Sequence, residues 1–385
     1  MPMSAPVVPS SRLASIDLLR GSVMLLMLLD HVRETFYLHQ QVSDPMDAAT
    51  VAPALYLSRM LAHLCAPVFV LLTGLSAWLY GQRQPDPRRA AAAFLAKRGL
   101  FLVLLELTLV NFAWNFELPP RTLYLQVIWA IGLSMLALSV LLWLPRPALA
   151  LLGVVLVAGH NLLDGVRVQG DGALAVLWKV LHQRDWIVLA EGLRARTSYP
   201  VLPWIGVIAL GYVLGPWYGG LAPQARQRRL LGAGAAALAA FALLRAWNGY
   251  GDHPWSALAD PLRSAMGFFN VTKYPPSLLF LLLTLGIALL LLRAFEWPPL
   301  QRQRWLALFG AAPMFFYLLH LYVLRLLQSG ARALWGANHG DSYGFDGIPA
   351  LWLCTLLLAL ALYWPVRAFA QLKARRRDLA WLRYL

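Results

Sequence analysis

The chain has 385 residues, of which 59% are apolar and only 13% charged, with a formal net charge of +15. Soluble domains carry about 45–50% apolar and about 25% charged residues, so the composition excludes an ordinary soluble protein. A mean hydropathy of +0.59 excludes a disordered one. Apolar runs that approach or exceed about 18 residues, the length a bilayer-spanning helix needs, recur along the chain. The fold class read from this is all-α: a polytopic integral membrane bundle in one domain.

In chain order, Met1 to Ser11 are short, polar and Pro-containing. The first apolar run begins at Asp17, includes Arg20 and lacks a small-residue cleavage site, so it reads as a retained span and not a signal peptide. About ten spans are predicted, at 15–37, 59–80, 98–116, 122–143, 147–164, 200–217, 229–247, 276–294, 306–328 and 349–370. This divides the chain into a cytoplasmic N-terminal segment 1–14, a membrane domain 15–370 and a basic cytoplasmic tail 371–385. With the N-terminus inside, the inner segments hold 19 basic residues and three acids, against 13 basic residues and 12 acids outside. That asymmetry places both termini in the cytoplasm. It also reads the positive charge as a topology signal, not a nucleic-acid footprint. Only four of the 33 basic residues are Lys, a bias that with heavy Ala and Leu use points to a GC-rich bacterial genome; the expected location of the multi-pass chain is the bacterial inner membrane.

Ala173 to Leu193 is apolar but carries Lys179, His182, Arg184, Asp185 and Glu191. Each charge near the bilayer centre costs about 2.5–3.5 kcal/mol on insertion scales, so the stretch is predicted to be an interfacial amphipathic helix on the outer face.

Ionisable residues inside spans mark functional sites. In span 1, Asp17, Arg20, Met24, Met27, His31 and Glu34 follow helical spacing and share one face. Arg20 and His31 stand roughly 16 Å apart along that face, and Asp17 can pair with Arg20. Elsewhere the polar residues gather near the outer ends of the spans: His63; Asn111 and Asn115, with Glu106 mid-membrane below them; Gln126; His160 with Asn161 and Asp164; Asn270, Lys273 and Tyr274 before Pro275-Pro276; and His320. Four histidines at similar depth (His31, His63, His160 and His320) predict one polar cavity open to the outer face. No metal site is expected, since neither His-Glu-x-x-His nor a His/Cys pair at ligand spacing occurs within a helix. Cys65 and Cys354 read as core residues and not a disulfide. No phosphate-cradling loop is present, and Gly232-Ala233-Gly234 reads as helix packing. Nothing in the sequence specifies an oligomeric state.

Several blocks in order carry a resemblance. These are "RLASIDLLRGSVMLLMLLDHVRE" from Arg12, "HLCAPVFVLLTGLSAWL" from His63, "LYLQVIWAIGLSML" from Leu123, "YPVLPWIGVIALGYVLG" from Tyr199, "KYPPSLLFLLLTLG" from Lys273 and "APMFFYLLHLYVL" from Ala312. Together they resemble the bacterial heparan-α-glucosaminide N-acetyltransferase-like membrane family. Arg20 with His31 is also similar to the arginine–histidine signature of the acyltransferase-3 family of envelope O-acetylases.

The resemblance implies a transmembrane acyltransferase. Acyl-CoA, by default acetyl-CoA, would serve as a cytoplasmic co-substrate, and no cofactor would be covalently bound. The acceptor would be a hydroxyl or amine outside, on a sugar or envelope glycan. His31 is then the base, with Asp30 or His63 to orient it. Arg20, with Asp17, holds the donor. Lys273, Tyr274, His320 and Asn270 serve the acceptor or the oxyanion. In eukaryotic members the position matching His31 is similar to an asparagine, and the catalytic histidine falls in the following loop, near Val42 here. This makes His39 an alternative base. A transporter or flippase for a small anion or lipid headgroup is the rival reading, with no internal repeat or broken half-helix pair in its favour. A non-catalytic envelope scaffold is the third.

Overall fold

The computed structural model describes residues 13–376 and 378–384. Residues 1–12 of the expected N-terminal segment, and Arg377 and Leu385 of the expected tail, lie outside the described residues. The chain is mostly helical: α1 (Ala14–Phe36), α2 (Pro53–Ala62), α3 (Cys65–Gly81), α4 (Pro87–Leu105), α5 (Asn111–Asn115), α6 (Val127–Leu141), α7 (Arg146–Gly159), α8 (Ala173–Leu181), α9 (Leu202–Gly219), α10 (Pro223–Trp247), α11 (Pro261–Phe269), α12 (Leu278–Ala294), α13 (Pro298–Gln301), α14 (Arg304–Ala311), α15 (Pro313–Trp335) and α16 (Ile348–Arg375). Among the described residues, four helical segments are long and apolar enough to cross a membrane: Pro53–Gly81, Arg146–Leu163, Pro223–Trp247 and Ile348–Arg375. A fifth joins them if α14 and α15 count as one bent span. The shorter apolar helices α6 and α12 add to them.

The layers are arranged for an apolar solvent. Central α1 packs on α2, α3, α12, α14, α15 and α16. The peripheral helices turn large apolar side chains outward: Leu151, Val154 and Val155 on α7, Leu243 and Trp247 on α10, and Leu353, Leu356 and Leu360 on α16. Such a belt would be an aggregation liability in water and is what lipid tails accept.

Close helix crossings depend on glycine. A Cβ on Gly21 would sit 2.0 Å from the Leu306 carbonyl oxygen, and one on Gly310 would sit 2.0 Å from that of Asp17. Backbone contact between α1 and α14 therefore requires both glycines. Gly74 of α3 and Gly211 of α9 make the same kind of contact, against Ile208 and Leu71.

Several expected spans are corrected. The stretch 122–143 is not one helix. Thr122–Leu125 is strand β1, and α6 starts only at Val127, after an extended Gln126. The expected interfacial helix at Ala173 to Leu193 is helical only to Leu181. It then enters strand β2 (Trp186–Ala190), which turns through Gly192 at φ +75° into β3 (Leu193–Thr197). The strands form a three-stranded sheet in the order β1-β3-β2, with β1 parallel to β3 (Thr122 opposite Arg194) and β2 antiparallel to it (Trp186 opposite Arg196). This sheet is a small β addition to the expected all-α class. The stretch 98–116 is α4, a π-helical segment Glu106–Val110, and α5. Its polar residues anchor β1 and α6: Glu106 Oε2 accepts the Trp129 N–H in the first turn of α6 at 3.1 Å, and Asn111 and Asn115 donate to the Thr122 carbonyl of β1. Finally, the stretch 306–328 is broken, because the chain bends 85° between α14 and α15 at Ala312.

The Gly21–Gly310 contact is tested by Gly21→Ala. Overpacking against backbone is expected to destabilise by about 1–3 kcal/mol. Gly232→Ala, whose Cβ meets nothing within 4 Å, should be neutral or stabilising by up to about 1 kcal/mol. Melting of both variants in detergent checks the pair, and equal melting temperatures would contradict the α1–α14 geometry.

Candidate active site

The polar face of α1 is the candidate site. At its N-terminal end, Arg20 Nη1 lies 3.1 Å from Asp17 Oδ1 and donates to the Gly310 carbonyl at 3.2 Å, while Nη2 donates to Ser76 Oγ at 3.3 Å. The Gly310 carbonyl belongs to the end of α14, where helix carbonyls lack intrahelical partners. The guanidinium therefore fills the break between α14 and α15. Asp17, Arg20, Met24 and Met27 line a cavity of about 320 Å³. Tyr317 also lines it, as do Arg98, Lys373 and Pro313 at the first turn of α15. In the sequence, Arg98 and Lys373 read as loop charge alone; only folding brings them to the same cavity as Arg20.

His31 is buried at the far end of that face. Its Nδ1 lies 2.6 Å from His320 Nε2, with the two rings stacked at 4.9 Å. His320 Nδ1 in turn lies 2.7 Å from the Phe316 carbonyl oxygen. A carbonyl only accepts, so His320 Nδ1 carries the proton and its Nε2 is the bare acceptor. His31 Nδ1–H therefore donates to it, and the lone pair of His31 falls on Nε2. Trp114 and Tyr317 stand edge-on to the His31 ring at 5.3 and 6.0 Å. The Trp114 indole N–H and the Tyr317 hydroxyl are buried, and neither makes a hydrogen bond of normal geometry among the described residues. Neither residue stands out in the sequence, because an aromatic within an apolar run gives no sign that its polar atom lacks a partner.

Beyond His31 lies a second cavity, of about 440 Å³, lined by Glu34, Thr35, Trp114, Arg325, Gln328 and His39. His31 thus touches a wall residue of each cavity, Tyr317 of the first and Trp114 of the second. His39, which lines this second cavity, stacks on His339 at 3.6 Å. Partial burial, and then the field of His339, lower its imidazole below the ordinary value.

The remaining candidates form a separate cluster. Asp30 accepts from Arg33 Nε at 3.0 Å and from Arg59 Nη1 at 3.1 and 2.9 Å, and Lys273 Nζ lies 3.8 Å away. Among the described residues, neither Asp30 nor His63 hydrogen-bonds to His31; the partner of its Nδ1 is His320. His63 packs on Phe280, with its Nδ1 unpartnered among the described residues. Lys273 and Tyr274 give their backbone N–H groups to the Asp44 carboxylate. Asn270 pairs through both side-chain atoms with the Met46 backbone, which pins the loop after α1. The single four-histidine cavity expected from sequence is corrected. His31 and His320 pair, His63 stands apart, and His160 faces His182, 5.7 Å away between ring centres.

Residues 12–249 match the family of the heparan-alpha-glucosaminide N-acetyltransferase, catalytic. The chain belongs to that family. No curated protein matches it. Membership supports acetyltransferase-type chemistry in a helical membrane protein. The matched region holds Asp17, Arg20, Asp30, His31 and His63, whereas His320, which positions His31, lies beyond it.

Asp30 is one carboxylate among three buried cations. Asp30→Asn is expected to destabilise by about 3–5 kcal/mol, because it leaves buried charges uncompensated. Thermal melting in detergent reads this, and a wild-type melting temperature would contradict the cluster.

Proposed function

We propose that the protein transfers an acetyl or other short acyl group from acyl-CoA, entering on the cytoplasmic side, to an amine or hydroxyl of a sugar on the outer face. Its location would be a bacterial inner membrane. The carrying observation is the His31–His320 pair, whose His31 ring stands against Tyr317 of the first cavity and Trp114 of the second, with Nδ1 committed to His320. Arg20, Arg98, Lys373 and the N-terminus of α15 give the inner cavity the positive field that CoA phosphates need. The acceptor enters the outer cavity past His39 and Gln328. The family's named acceptor, a glucosaminide, is the first to try.

In this reading His31 Nε2 takes the acceptor proton as the acceptor N or O attacks the thioester carbonyl. The oxyanion of the tetrahedral intermediate is met by the Tyr317 hydroxyl and the Trp114 N–H, the two donors beside the ring. Collapse breaks the C–S bond, and the CoA thiolate takes the proton from the His31 imidazolium. His320 accepts from Nδ1–H throughout and stabilises that cation.

Labelled acetyl-CoA with glucosamine tests the reading. His31→Gln should lower kcat by about 10²–10⁴-fold, the usual yield of general acid–base catalysis, while donor binding persists. His39→Gln should stay within a few-fold of wild type; the reverse pattern would transfer the base to His39. Arg20→Met should raise the donor KM with little change in kcat, and unchanged donor affinity would leave Arg20 a structural partner of Asp17 and Gly310. His320→Gln should lower kcat and move the acidic limb of the pH–rate profile, a shift that a purely structural loss would not give.

A further inference from the structure

A second cluster lies outside this machinery. His160 stands in the 3₁₀ turn that ends α7, Asp164 directly after it, and His182 directly after α8. His160 is 2% exposed, and neither of its ring nitrogens has a partner among the described residues. A buried imidazole with two empty polar atoms costs free energy unless something fills the gap. His182 Nε2 lies 3.0 Å from Asp164 Oδ1, and its Nδ1 is also buried without a partner among the described residues. One ligand atom from each of the three residues lies within 4.8 Å of the others. Around a tetrahedral zinc with bonds of about 2.0–2.1 Å, ligand atoms stand roughly 3.3 Å apart. The three ligand atoms are thus within about 1.5 Å of that spacing.

We propose that His160, Asp164 and His182 bind a divalent transition metal of the zinc class, independently of the acyl-transfer reading. Two imidazoles and one carboxylate are a borderline donor set that suits zinc and does not suit calcium or magnesium. Behind the ligands stands an orienting shell of the kind metal sites carry. Asn161 Nδ2 donates to Asp164 Oδ2 at 2.8 Å, and Asn161 Oδ1 accepts the Leu278 N–H at the start of α12, also at 2.8 Å. Asp164 and His182 also line a cavity of about 430 Å³ that includes Asp44 and Tyr274. Asp164 and His182 open onto that cavity, from which water or a polar ligand would complete the shell. The ion would join the end of α7 to the segment that leads into the sheet.

The test uses the full chain without a histidine tag, purified in detergent. Elemental analysis and zinc titration against a chromophoric chelator should give one zinc ion per chain. His160→Gln, His182→Gln and Asp164→Asn should each weaken zinc binding by at least about 10–100-fold, since loss of even an outer-sphere partner costs that much. His253→Gln, in the same cavity but outside the group, should bind as wild type does. Should the variants fail to fold, cobalt added to wild type still reports: visible d–d bands of a low-coordinate site support the assignment, and their absence overturns it. Wild type without stoichiometric zinc, or ligand variants that bind as wild type does, would reduce the cluster to a metal-free histidine–carboxylate pair.

Discussion

A helix loaded with ionisable side chains stands at the centre of an apolar bundle, and the rest of the molecule is arranged to satisfy it. Asp17, Arg20, Asp30, His31 and Arg33 all lie on α1. Each would be costly there alone. Asp30 is answered by Arg33, Arg59 and Lys273. Arg20 is answered by Asp17 and by the carbonyl end of α14, and His31 by His320. These partners come from α2, α14, α15 and the segment before α12, so satisfying α1 fixes how those elements pack. The Gly21–Gly310 contact brings α14 close enough for Arg20 to reach its carbonyl.

The same arrangement gives the site its chemistry. A histidine whose proton position is set by a second histidine, itself fixed on a backbone carbonyl, is held in one tautomer with one free lone pair. That relay lies across two elements far apart in the chain, beside Tyr317 of one cavity and Trp114 of another. The broken α14–α15 span, which in a transporter would form half of a substrate site, here receives the Arg20 guanidinium and turns the N-terminus of α15 toward the cavity that Arg20 lines.

Much of this is legible in the sequence. Period-3.6 spacing places Asp17, Arg20, Met24 and Met27 on one face, and the folded chain lines a cavity with them. Ionisable residues inside apolar runs single out His31, His320 and Lys273. Pairing across elements is what the sequence hides. Asp30 sits next to His31 in sequence, but about 100° around the helix, and it serves the arginines instead. His320 groups with the acceptor residues in the sequence because nothing local ties it to His31. The strands are hidden because β1 runs into α6 within one apolar block, and β2 follows α8 without a Gly or Pro between them. The His160–Asp164–His182 cluster draws on two helix ends, and its spacing of 4 and 18 residues matches no metal motif.

The two-cavity account is tested most directly by a sidedness measurement. Protein reconstituted into sealed vesicles, with labelled acetyl-CoA trapped inside and an amino-sugar acceptor outside only, should label the external acceptor without leakage of donor. His31→Gln vesicles should not. Label that appears only after the vesicles are permeabilised would show that donor and acceptor meet on one side, and would contradict transfer at His31 between two opposed cavities.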